Sequence, residues 1–100
     1  MEELKDIIIR ALEDIGRISD YLYQQKLGKA YDNLNSTLGM LMNLTDTLFA
    51  LSNEGMINLD RQRWTNNLTL SMQAMEDKDG VLLADILVFE IGEQLQELIQ

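Results

Sequence analysis

The chain has 100 residues, 46% apolar and 25% charged, which fits one folded domain with a modest core and excludes intrinsic disorder. It contains no Cys and no His, so disulfides, thiol nucleophiles, zinc–thiolate sites and the commonest general base are excluded. Net charge is −9, and residues 77–100 supply −5 of it through six acids against Lys78 alone, a surface that repels phosphate backbones and anionic lipid.

A first helix is expected from Leu4, Ile8, Ala11, Ile15, Ile18 and Leu22. Their steps alternate between four and three, the spacing of a seam packed on neighbouring helices. Gly28 is expected to end it. A second helix carries Tyr31, Leu34, Leu38, Leu41, Leu48 and Phe49, with Met42 alongside and Thr45 in the same stripe. Met40, Leu44 and Leu51 widen its apolar arc. Ser52-Asn53-Glu54-Gly55 reads as its stop, with Gly55 in the left-handed C-cap conformation. Gly16 and Gly39 lie inside helical patterns and are expected to permit close packing.

A third helix is expected to start at Asp60 as N-cap, with the stripe Trp64, Leu68, Met72 and Met75. Trp64 reads as a core anchor whose indole N–H needs an acceptor. Asn66 and Asn67 are expected to face water or cap locally, and the methionines to fill the core. The chain then turns at Asp77-Lys78-Asp79-Gly80, and Asp79 caps a fourth helix. With short connections, no Pro and no strict alternation, the layout is an all-α, antiparallel up-down-up-down four-helix bundle spanning 1–100 as one domain.

The N-terminus, MEELKD, has neither the basic patch nor the apolar run of a signal peptide, and nothing approaches the roughly 18 apolar residues of a membrane span. A cytoplasmic protein with no nucleic-acid and no membrane partner is expected.

Chemistry is sought first in the carboxylates of the fourth helix. On a wheel of about 100° per residue with Leu82 at zero, Leu83, Leu87, Ile91, Leu95 and Leu98 form the core face. Asp85 and Glu90 fall about 140° apart on that wheel, too divergent to converge on one substrate or ion. They are expected to be solvated or paired with Arg10, Arg17, Lys26, Arg61 or Arg63 of neighbouring helices. An EF-hand alignment on Gly80 puts Met75 and Ile86 at ligand positions and fails. A di-iron pattern fails for want of His. A carboxylate-only site would need Asp85 and Glu90 to meet Glu13, Asp14 or Asp46. No nucleophile elbow, phosphate loop or dinucleotide fingerprint is present. The chain is therefore expected to be no enzyme, with no catalytic residue, no metal and no cofactor.

Leu82, Ile86 and Phe89 form a second, narrow apolar stripe opposite the core face. Either it is covered inside the subunit, by the third helix or the 54–59 connection, or it meets another chain. On the second arrangement Met40, Leu44 and Leu51 contribute to the same interface. The expected function is protein–protein contact, with a second copy as a homodimer or with another protein. The alternative is a small acidic export-chaperone or adaptor that shelters an amphipathic client helix.

The stretch DKDGVLLADILVFEI, preceded by SMQAME, resembles the C-terminal signature of a family of small, uncharacterised all-helical bacterial, Firmicutes-type proteins. That signature runs D-x-x-LLAD-x-L-x-[FY]-E and maps onto Asp79, Leu82, Leu83, Ala84, Asp85, Phe89 and Glu90. It covers about the last quarter of the chain closely and the rest in helical layout. Val88 stands where an acidic residue is expected, which makes the helix more apolar. The resemblance implies a helical bundle and brings no activity with it.

Overall fold

The computed structural model describes residues 2–99. Three helices, α1 (Glu2–Tyr23), α2 (Leu27–Asn53) and α3 (Arg61–Glu76), are followed by a C-terminal rod in three segments. These are α4 (Gly80–Asp85), a π-helical stretch (Ile86–Ile91) and α5 (Gly92–Ile99), with helical backbone at both joints. The all-α bundle expected from the periodicity is present. The 27 residues of α2 span about 40 Å at 1.5 Å each, which matches the long dimension of the 40 × 24 × 20 Å molecule.

Every residue of the expected α1 seam is buried. α1 packs closely on α2 on one side and on the C-terminal rod on the other. Leu34, Leu41, Leu44 and Leu48 of α2, Trp64 of α3, and Leu83, Leu87, Ile91 and Leu95 of the rod complete the core.

The connections are short because each helix ends in a left-handed residue with paired back-bonds. After α1, Gln25 takes φ 59°. Its N–H donates to the Leu22 carbonyl, and the Lys26 N–H reaches back to Tyr21. This two-bond closure is the Schellman pattern. Gly55 (φ 74°) closes α2 as expected, and Lys78 (φ 54°) closes α3. Gly28 does not end α1: it lies in the first turn of α2, because Gln25 has already supplied the left-handed position. Asp60 and Asp79 cap their helices as expected, accepting from the backbone N–H of Arg63 at 3.0 Å and of Leu82 at 3.1 Å.

The face that α3 turns inward coincides with its apolar stripe only in part. The buried residues are Trp64, Asn67, Ser71 and Ala74, whereas Met72 is exposed and Leu68 and Met75 are half-buried. The small side chains of Ser71 and Ala74 let α3 lie close along the C-terminal rod, and α3 approaches α2 much less closely. The methionines divide: Met40 and Met75 are half-buried against the core, as expected, whereas Met42, Met56 and Met72 are exposed. Gly16 and Gly39 face open space and hold no close contact.

The π stretch was not legible as such. Its wider turns bring the Gly92 N–H onto the Leu87 carbonyl, five residues back. A uniform 100° wheel puts Gly92 near 280°, off the core face. The widened turns rotate it inward, where an added Cβ would lie 3.1 Å from the Leu87 oxygen and 3.8 Å from Leu12 Cδ2.

Candidate contact surfaces

The two carboxylates of the fourth helix diverge, as the wheel requires. Asp85 meets none of the five expected basic residues. It accepts a hydrogen bond of 2.5 Å from the Tyr23 hydroxyl at the end of α1. That bond, with some burial and the Asp85 charge, pushes the Tyr23 hydroxyl up to about 12. Glu90 is exposed. Two of the five pair with other acids: Arg17 with Asp14 at 2.7 Å, and Arg63 with Glu97 at 3.2 Å. Among the described residues no three carboxylates gather where one cation could bridge them. Neither Asp85 nor Glu90 joins Glu13, Asp14 or Asp46.

The six residues expected at an interface separate into three groups. Leu82 and Phe89 stand exposed on the outer ridge of the rod, at 47% and 56%. Val81 flanks them, also exposed. Neither α3 nor the 54–59 connection covers them. Ile86 is 7% exposed and Leu44 is 2% exposed, so both belong to the core of the subunit and neither stands on the outer ridge. The wheel put Ile86 on the ridge because it treated α3 as lying further off than it does. Met40 and Leu51 are half-buried on α2, which packs on α1 and makes no close pairing with the rod. They do not extend the ridge.

A groove of about 570 Å³ runs between the ridge and α3. Leu70, Ala74, Leu82 and Ile86 supply its apolar lining, and Asp77 and Glu90 its charge. Among the described residues no basic side chain lines it. Leu70 is 49% exposed there. Asn67 also lines the groove although it is only 6% exposed, and its Nδ2 has no hydrogen-bond partner. The sequence expectation put this side chain in water or in a local cap. Its inward placement follows from the rotation of α3 towards the rod.

A second opening, of about 600 Å³, separates the start of α2 from the end of α3 and is lined by Leu27, Tyr31 and Met75. The α2–α3 pair is held at its other end. There Trp64 Nε1 donates to Thr45 Oγ1 at 2.9 Å, and Thr45 in turn donates to the Leu41 carbonyl at 2.7 Å. Arg61 hydrogen-bonds Asn53 and lies 5.6 Å from the centre of the Phe49 ring. Thr45 is thus the acceptor that the indole requires.

A family model matches the chain over residues 1–100. The chain belongs to that family, a domain of unknown function (DUF8042). The match takes in α1, α2 and α3 as well as the C-terminal rod, so it extends well beyond the last quarter of the sequence. No curated protein and no solved structure matches. No described helix is long and apolar enough to cross a membrane.

Proposed function

We propose that this chain works by contact rather than by catalysis, pairing with a second copy of itself through the outer ridge of the C-terminal rod. The observation that carries the reading is Phe89, 56% exposed on the rod, with Val81 and Leu82 exposed about two turns before it. An exposed cluster of large apolar side chains costs solubility unless something covers it. Phe89 also sits near mid-length of the rod, Gly80–Ile99. A two-fold axis passing there lays one Phe89 ring against its counterpart, the self-complementary arrangement that a symmetric dimer requires. A cytoplasmic location in a bacterium belongs to the same proposal, and Leu82 and Phe89 of the ridge fall within the D-x-x-LLAD-x-L-x-F-E stretch.

Light scattering on the purified protein tests it. At high micromolar concentration the expected mass is twice the 11.5 kDa of one chain. Phe89→Asp is expected to give a folded monomer, because the new charge enters water. A wild-type chain that stays monomeric over that range sinks self-association.

A further inference from the structure

The groove beside the ridge carries a different inference. We propose that the α3–α4 groove binds a cationic amphipathic helix of another protein. The proposal rests on the reading that this chain works by contact, but not on its pairing with itself. Phe89 does not line the groove, and Leu70, which does, lies on α3 away from the ridge.

Two observations specify the occupant. The floor is apolar, from Ala74, Ile86, Leu70 and Leu82, so the occupant presents an apolar face. The charged residues on the lining are both acids, Asp77 and Glu90, within a chain of net charge −9. Their field attracts a cationic partner. Apolar face and positive flanks together describe a basic amphipathic helix.

Fluorescence anisotropy with two labelled peptides of about 18 residues, roughly five helical turns, tests this. One has a Leu face and Lys flanks. The other keeps the Leu face and replaces Lys by Glu. The Leu/Lys peptide is expected to bind and the Leu/Glu peptide not. Asp77→Asn with Glu90→Gln is expected to weaken binding by about tenfold at low salt, with less effect at high salt. Asp32→Asn with Asp46→Asn on α2 removes the same charge far from the groove and is expected to change little. Leu70→Asp is expected to abolish binding while the circular dichroism melt stays intact, and Phe89→Asp to leave binding unchanged. Equal losses from the groove pair and the α2 pair would mean bulk charge attraction and overturn the proposal. So would undiminished binding by Leu70→Asp, or loss on Phe89→Asp. A dimer that does not discriminate between the peptides defeats this inference alone. A monomer that binds Leu/Lys with the expected pattern defeats only self-association. A monomer that binds neither peptide defeats both.

Discussion

α1 and α3 enter the same bundle with opposite chemistry. α1 buries six apolar residues at regular spacing and leaves its charges outside. α3 buries Trp64 but otherwise turns Asn67, Ser71 and Ala74 inward, and leaves Leu70 and Met72 exposed. The difference lies in what each helix packs against. α1 sits between two apolar partners and is oriented chiefly by burial of that seam, with the Tyr23–Asp85 hydrogen bond at its end. α3 is oriented by close approach to the C-terminal rod, which small side chains allow, and by a tryptophan that needs Thr45. Solvent-exposed leucine and a buried, unpartnered amide are the result, and together they make the groove.

Cutting the α1 seam should produce the largest effect. Ile18→Ala is expected to destabilise the fold by about 3 kcal/mol, whereas Leu70→Ala on α3 should stay within about 0.5 kcal/mol. Urea denaturation of the two variants measures the contrast, and equal losses would erase the distinction between the helices. Thr45→Val comes next. It leaves the fully buried Trp64 with an unsatisfied indole N–H, at a cost of about 2 kcal/mol by the same measurement. Asn67→Leu runs the other way. Removing a buried donor that has no partner should raise stability by about 1 kcal/mol, provided the larger apolar side chain fits. If Asn67→Leu instead destabilises as Thr45→Val does, the amide is satisfied in solution and α3 resembles α1 more than its burial pattern implies.

The smallest effect concerns the ionisation of the bond that ties α1 to the rod. The folded state holds the Tyr23 hydroxyl at about 12, against 10.0 for an ordinary tyrosine. The folded state therefore keeps a proton that the unfolded state releases first. The contribution of this bond is complete below pH 10, and it is lost as pH rises towards 12. Phenolate absorbance should show one tyrosine titrating late, and Asp85→Asn should return it towards 10. A titration unchanged by Asp85→Asn would remove the bond from the account.

Much of the fold was legible because α1, α2 and the rod follow simple periodicity. The inward rows of α1, the caps at Asp60 and Asp79, the left-handed Gly55 and the core residues Leu83, Leu87, Ile91 and Leu95 all stand where spacing put them. The site was legible in part. Leu82 and Phe89 are on the surface, but Ile86 and Leu44 are not, because a wheel for one helix does not include the distance to its neighbour. Gln25 takes the left-handed turn in place of Gly28, and Lys78 takes another that no glycine marks. Tyr23 as the partner of Asp85, and Asn67 as a buried amide, depend on contacts across 62 residues and on the tilt of α3, for which no local signal exists.

The π-helical stretch has a consequence for how the end of the chain is written. Relative to plain α-coiling it carries a surplus residue, and the eight positions of α5 are phased to it. Delete Val88 and the rod can rewind as plain α-helix with α5 still in phase, because the wider turns had absorbed that one residue. Gly92 then keeps its niche against Leu12, and Leu95 its place in the interior. The wide turns thus mark the one place where the rod tolerates a lost codon; the same loss from the plain coil of α4 would turn all that follows away from its partners.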